Sequence, residues 1–435
     1  MIKLISENQS GKGSDVINRE KAIIVGLLLP GREEWQLESS LRELAQLSDT
    51  AGAQVVFEVV QKRSSPDPAY YIGKGKSLEI FGIIEEMEAD MLIVDDELSP
   101  SQTRNLEEIL GIRVIDRTAL ILDIFAQRAR TREGKLQVEL AQLNYLLPRL
   151  TGRYEFLSRL GGGIGTRGPG ETKLEVDRRT IRRRISDLNK EIQSIKKHRS
   201  LQRRSRQKVP HPVVALVGYT NAGKSTLLNA LTDSSVFTED KLFATLDPAT
   251  RKAKMPDNQT VLLTDTVGFI QKLPTHLVAA FRATLEEVQE ADVLMHVVDL
   301  SHPQMEEQME AVQEILEDLE VTEKPCLLVF NKIDLVDDPF LLRRLKAEYP
   351  GSIAISAAEK KNIEELLHQL SRLLKADWKR VFLRVPFEDS RTMALLHEKG
   401  QVIKIITGEE SYQVEALLHE KWANKLKKYA VTPPG

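Results

Sequence analysis

Apolar and polar positions alternate with two different periods along the first 125 residues. AIIVGLLLP, starting at Ala22, is a continuous apolar run of the kind found in a strand covered on both faces. In EWQLESSLRELAQLS, Leu37, Leu41, Leu44 and Leu47 recur at helical spacing, which predicts an amphipathic helix. AQVVFEVVQKR reads as a strand of period two, KSLEIFGIIEEME as a helix and DMLIVDDE as a strand. SPSQTRNLEEIL opens with the Ser and Pro signals of a helix start, and IRVIDR closes the series as a strand. Strands alternating with helices predict a parallel sheet covered by helices.

From about Thr131 to Gln207 the pattern changes. Leu136, Leu140, Leu143, Leu147 and Leu150 repeat at intervals of four and three, and so do Ile181, Ile185, Leu188, Ile192 and Ile195. Each series is the apolar seam of a helix that packs on one partner. Between them the glycine-rich run Gly161 to Gly170 cannot continue a helix. The prediction is an antiparallel two-helix hairpin with a glycine-rich loop near its tip. Buried strands follow at Val213 to Val217, Val261 to Leu263, VLMHVVDL and CLLVFNKID. After Leu374 the chain reads strand, helix, strand, strand, helix, and no chemistry is assigned there; His397 and His419 have no partner ligands nearby in sequence.

Length and composition narrow the class. A chain of 435 residues implies two to four domains. With 41% hydrophobic and 29% charged residues it is neither a disordered chain, a collagen-like fibre nor a coiled-coil rod. The lone Cys326 excludes a disulfide framework and a zinc site built on several thiolates, and suits a reducing compartment. The first 20 residues are polar and lack the apolar core of a signal peptide, and Ala22 to Leu29 is too short to span a bilayer. The expectation is a soluble cytoplasmic protein with no transmembrane segment.

The net charge of −3 excludes a uniformly basic nucleic-acid coat but hides its distribution. From Glu171 to Lys208 there are 14 Lys or Arg against 5 Asp or Glu, a local net of +9 that leaves −12 for the rest. The excess of one sign is too large for pairing within the helix to neutralise, which favours a surface for a phosphate backbone over a merely solvated face. In the first domain, YYIGKGK (Tyr70 to Lys76) has the residues of a phosphate cradle, although such a stretch is more often a plain turn.

The chemistry is concentrated after residue 210. The strand Val213 to Val217 runs into GYTNAGKS, Gly218 to Ser225, which fits G-x-x-x-x-G-K-[ST] in its strand–loop–helix setting. Gly218 and Gly223 let the backbone wrap closely around a phosphate chain, with inward amides and the positive end of the next helix. Lys224 reaches the β- and γ-phosphates, and the Ser225 hydroxyl serves Mg²⁺. About 40 residues later come Asp265, Thr266, Val267 and Gly268 at a strand end: the carboxylate holds the Mg²⁺ shell through water and the Gly268 amide meets the γ-phosphate. Asn331, Lys332, Ile333 and Asp334 form a guanine-reading element. Asp334 accepts from guanine N1–H and the N2 amine, a donor pair that adenine lacks, while the Lys332 stem packs over the base. Ser356, Ala357 and Ala358 offer backbone to guanine O6.

These four elements, in this order, resemble the P-loop GTPases of the translation-factor-related class over about residues 209–375. The resemblance implies a doubly wound, mainly parallel sheet with nucleotide at the carboxyl ends of the strands. It also implies a switch threonine, for which KLFATLDPATR offers Thr245 and, less well spaced, Thr250. The expected nucleotide contacts are therefore Gly218, Tyr219, Thr220, Asn221, Ala222, Gly223, Lys224, Ser225 and Thr226 in the loop, and Phe243, Ala244, Thr245, Leu246 and Asp247 in the switch. The other three elements complete the set. Lys224, Thr245 and Gly268 are the expected catalytic residues; Ser225 and Thr245 are the expected metal ligands. GTP or GDP and Mg²⁺ are the expected cofactors. Asn221 is open to two readings: a ligand for K⁺ in place of an arginine finger, or a side chain that stabilises its loop. In many GTPases the residue after D-x-x-G is a glutamine that orients the attacking water. Here it is Phe269, so intrinsic hydrolysis is expected to be slow and to need outside help.

An α/β domain before the GTPase, the segment GGGIGTRGPGETKLEVDRR after a heptad helix, and FATLDPATR with DTVGFI together resemble the HflX family of ribosome-associated GTPases, over about Lys21 to Leu374. That resemblance implies binding to the large ribosomal subunit and its RNA, and GTP-dependent separation of stalled ribosomes into subunits. The family also includes members reported to act on ATP through the first domain, but no second P-loop occurs here. A GTPase of ribosome assembly or RNA modification is the alternative, and an RNA-binding protein with nucleotide as a structural ligand is a third reading. The expected layout is α/β: a flexible tail (1–20), an N-terminal α/β domain (21–130), a basic helical hairpin (131–208), a P-loop GTPase domain (209–375) and a small α+β C-terminal domain (376–435), in a monomer.

Overall fold

The computed structural model describes residues 19–150, 173–206, 211–232, 242–243, 246, 249–272, 285–375, 378–408 and 410–431. The tail before residue 19, the run Gly161 to Gly170, and Ala244, Thr245 and Asp247 of the expected switch lie outside them.

Four parallel strands open the fold: β1 (Lys21–Leu28), β2 (Gln54–Lys62), β3 (Met91–Val94) and β4 (Arg113–Asp116), in the order β2-β1-β3-β4. Helix α1 (Glu34–Ala51) buries Leu37, Leu41, Leu44 and Leu47, the stripe expected from their spacing. Strand β2 departs from its alternating pattern: it is an edge strand, and only Val59 is buried. Helix α2 (Lys74–Met87) starts after Gly73, so YYIGKGK is the turn and first helical residues of this element. Helix α3 (Pro100–Leu110) has Ser99 as its N-cap in a capping box with Gln102. Helix α4 (Arg117–Arg128) is capped by Asp116, which accepts from the Ala119 amide at 2.8 Å. It has no polar stripe because Leu120, Ile121, Leu122, Ile124 and Phe125 are all buried, which hid it from a periodicity reading.

Helices α5 (Arg132–Leu146) and α6 (Lys173–Arg206) pack on each other. Leu136, Leu188 and Ile192 are buried together, with Leu140, Leu143 and Ile195 beside them. The seam of α5 stops before the expected Leu147 and Leu150. Leu147–Arg149 is a 3₁₀ turn around Pro148, which has no amide to continue the helix, and Leu150 is buried beyond it.

The second sheet has six strands: β5 (Val213–Val217), β6 (Ala249–Lys254), β7 (Thr260–Asp265), β8 (Val293–Asp299), β9 (Cys326–Asn331) and β10 (Ile353–Ala354). Their order is β10-β9-β8-β5-β7-β6, parallel except for the edge strand β6. Chain order reverses beside β5, the place where open α/β sheets leave a crevice at the carboxyl ends of their strands. Thr250 sits within β6, its hydroxyl 3.0 Å from that of Thr264 on β7. At the C-terminus, β11 (Trp378–Pro386), β12 (Gly400–Thr407) and β13 (Ser411–His419) form an antiparallel sheet in the order β11-β13-β12, with helices Ser390–Lys399 and Glu420–Lys425.

The first domain and the GTPase domain share a core. Leu120 and Phe125 of α4 cluster with Phe243, Phe269 and Ile270, and the Phe125 and Phe243 rings meet edge to face with centroids 4.6 Å apart. Among the described residues no helix is long and apolar enough to cross a membrane.

Candidate functional site

The chain leaves β5 at Val217, turns through Gly218–Gly223 and enters α7 (Lys224–Thr232). Gly223 has φ +89°, and a Cβ there would lie 2.3 Å from Asn331 Nδ2. Glycine is therefore required by both backbone and neighbour. Asn331, at the end of β9 and 2% exposed, ties three motifs together: its Nδ2 donates to Ala222 O at 2.9 Å, and its Oδ1 accepts from the Ala357 amide at 2.9 Å. Asn221 is exposed, at φ +61°, a left-handed conformation that asparagine tolerates.

Lys224 is buried at the helix start. Its Nζ donates to Gly218 O at 3.0 Å and Tyr219 O at 2.7 Å. Burial pushes the ammonium down to about 8, against the pull of the Asp265 carboxylate. A bound polyphosphate would favour the charged form. Ser225 Oγ donates to Asp265 Oδ2 at 2.6 Å, and Asp265 is fully buried at the end of β7. Two hard oxygen donors side by side suit Mg²⁺, which takes one or two protein ligands and otherwise water and phosphate. Thr226 is half-buried in the first turn of α7. Thr266 is buried and donates to Leu216 O at 2.6 Å; Val267 is buried too.

Gly268 lies against the loop so closely that a Cβ would be 2.8 Å from Thr220 Cα and 3.0 Å from Lys224 Nζ. The next residue is stitched to the P-loop: the Thr220 amide donates to Phe269 O at 2.7 Å and the Phe269 amide to Gly218 O at 3.1 Å. The Phe269 side chain is 2% exposed and packs in the joint core, so it fills a structural place. Phe243 and Leu246 likewise direct their side chains into that core, because an apolar side chain is stabilised there against Phe125.

On the opposite side of the crevice, Lys332 has φ +67° and its Nζ pairs with Asp299 Oδ2 at 2.7 Å. The Ile333 amide donates to Ile355 O at 3.2 Å, and Ile333–Leu335 forms a 3₁₀ turn holding Asp334. Asp334 Oδ1 is buried and has no protein hydrogen-bond partner among the described residues, as suits an acceptor reserved for a ligand. Ser356 is buried, its Oγ accepting from the Glu359 amide at 3.0 Å; Ala358 is exposed. A cleft of about 580 Å³ opens between α1 and the P-loop, lined by Trp35, Glu43, Tyr219, Thr220, Asn221 and Asp299 among others.

Two participants are absent from the motifs. Asp299, which fixes the Lys332 ammonium, is at the end of VLMHVVD, and a carboxylate at the carboxyl end of a central strand is a signal that could have found it. His296 lies beside Lys224; burial and that ammonium push it down to about 4, so it is neutral at physiological pH.

Three family models match successive parts of the chain: GTP-binding GTPase N-terminal over residues 38–126, GTP-binding GTPase middle region over 128–206, and 50S ribosome-binding GTPase over 213–332. A protein named GTPase HflX from Caldanaerobacter subterraneus subsp. tengcongensis is 48% identical over 415 residues, 95% of each chain. GTPase HflX of Escherichia coli (strain K12) is 43% identical over 386 residues, 88% of this chain and 90% of that one. A crystal structure of a GTP-binding protein from the archaeon Sulfolobus solfataricus in complex with GDP covers 82% of this chain and 98% of its own, at 28% identity and a TM-score of 0.44.

Proposed function

Because the chain belongs to the HflX family of ribosome-binding GTPases and hydrolyses GTP, we propose that it docks on the large ribosomal subunit and couples GTP binding and hydrolysis to the splitting of stalled ribosomes. In this reading Lys224 and the amides from Gly218 to Thr226 hold the β- and γ-phosphates, and the Gly268 amide meets the γ-phosphate. Lys224 neutralises charge that develops in the transition state. Mg²⁺, when bound, supplies further neutralisation, with Ser225 and Thr245 as its protein ligands and Asp265 in the outer shell. Asp334 reads the guanine edge, and Lys332, held by Asp299, covers the base. Phe269 cannot orient the attacking water, so fast turnover depends on a docking contact that orders the switch segments.

The observation that carries the ribosomal part is α6. Its 34 residues reach about 50 Å. One seam is buried on α5, while Arg182 and Arg183 point outward. Together with the local charge of +9 in sequence, this suits RNA phosphates rather than a protein surface. The test is sedimentation of intact ribosomes with the protein and GTP. A shift of material from the 70S peak to free subunits supports the reading; an unchanged profile at saturating protein overturns it.

A further inference from the structure

The two helices of the C-terminal domain lie on one face of its sheet. Leu383 and Val385 of β11, and Val414, Ala416 and Leu418 of β13, are buried there against Leu396. The period of two sends the alternate residues to the other face. On β11 these are Arg380, Phe382 and Arg384. The register sets Phe382 beside Glu415 on β13, and Glu415 beside Lys404 on the edge strand β12. Arg384 and Lys404 are exposed, the Arg380 side chain is 61% exposed and Ile406 45%, so none of the described elements covers this face.

Its centre is an aromatic ring among cations. The Arg380 guanidinium stands 5.8 Å from the centroid of the half-buried Phe382 ring, and its Nε donates to Glu415 Oε1 at 2.6 Å. That pair neutralises the carboxylate of the row. Arg384 and Lys404 make no ion pair among the described residues. Side chains two apart on a strand stand roughly 7 Å from each other, so Arg380, Phe382 and Arg384 form a row that an extended polyanion can follow.

A folded protein suits this face less well. Three strands of eight or nine residues offer about 400 Å², half of the roughly 800 Å² that each partner buries in a stable complex. The centres of protein interfaces are also depleted of charge, whereas cations stand at this one. A duplex suits it no better, because its paired bases are stacked out of reach of the ring. An unpaired base can lie on a phenyl ring while its phosphates meet guanidinium and ammonium groups.

We propose that the open face of β11-β13-β12 is a docking surface for single-stranded RNA, with a base stacked on Phe382 and phosphates on Arg384 and Lys404. The choice of RNA over DNA rests on membership of a ribosome-binding family. The rest stands on the face itself, apart from the α5–α6 arm and from ribosome splitting, so its failure would leave that reading standing.

Photo-crosslinking of the full chain to a single-stranded RNA of roughly 12 nucleotides carrying 4-thiouridine, with the crosslinked peptides mapped by mass spectrometry, tests it. A crosslink on the β11 peptide that contains Phe382 is expected. The double variant Arg384→Gln, Lys404→Gln leaves the ring in place and should lower that crosslink about ten-fold; Phe382→Leu should abolish it. GTP hydrolysis by each variant alone should equal that of the parent, which shows that the variants are folded. The same RNA made double-stranded should not crosslink β11. Crosslinks confined to other segments, an unchanged β11 crosslink in the double variant, or a duplex that labels β11 as well as the single strand would overturn the proposal. Polyglutamate that removes the β11 crosslink at an equal concentration of charges would mark the face as one for acidic protein and overturn it too.

Discussion

Asn331→Ala probes the joint between three nucleotide motifs. Asn331 is 2% exposed, and its amide holds the Ala222 carbonyl and the Ala357 amide, each at 2.9 Å. Alanine leaves both backbone groups buried and unpaired, at about 1–3 kcal/mol each, so about 2–6 kcal/mol in all. For a domain of this size each kcal/mol lowers the melting midpoint by about 2–4 °C, so a fall of about 4–24 °C is expected. The same misalignment separates the P-loop from the guanine-reading loops, and about 2 kcal/mol of it appearing in binding is a roughly 30-fold weaker affinity for GDP. Thermal unfolding, with and without GDP, and titration with a fluorescent GDP analogue measure the two effects. Asn331→Asp is a sharper variant: it keeps the acceptor for Ala357 but sets an oxygen against the Ala222 carbonyl, and should be at least as damaging. An Asn331→Ala protein with the parent's midpoint and GDP affinity would refute the reasoning.

Two other perturbations have directions fixed by the structure. Asp334→Asn should move preference from guanosine toward xanthosine nucleotides, because the amide donates to the xanthine oxygen; unchanged GTP preference in competition binding would contradict the role given to the buried Asp334 Oδ1. Asp123, 5% exposed on α4 with one bond from Gln127 Nε2 at 2.9 Å, has its carboxyl pushed up to about 6 by burial. A raised folded value means that the neutral acid is the form the fold favours. The penalty for ionisation is absent below about pH 4, grows as pH rises through 6, and reaches about 2–3 kcal/mol above it. Asp123→Asn should therefore raise the melting midpoint most at pH 8 and by only about a third as much at pH 4.5, and an equal gain at both values would contradict this.

What the sequence made legible follows from distance along the chain. The P-loop, Asp265–Gly268, Asn331–Asp334 and Ser356–Ala358 are short contiguous motifs at strand ends, so residue type and order suffice to read them. The Lys272 contact with Asp95 joins residues 177 apart, and that of Tyr219 with Glu43 residues 176 apart. No local pattern encodes either, and only the docking of two domains brings the partners together. Helix α4 escaped for a related reason: it is covered on both sides, so its apolar residues form no stripe. The fate of Phe269 was half legible. Its chemistry excludes a water-orienting role, but its place in the joint core, beside Phe243 and Phe125, appears only in three dimensions.

The central claim is that docking on the large ribosomal subunit supplies what Phe269 cannot. The most direct measurement is the GTP turnover of the purified chain alone and with increasing concentrations of isolated large subunits. The account predicts slow turnover alone and a many-fold, saturable acceleration by large subunits. A rate that does not change at saturating large subunits would contradict it.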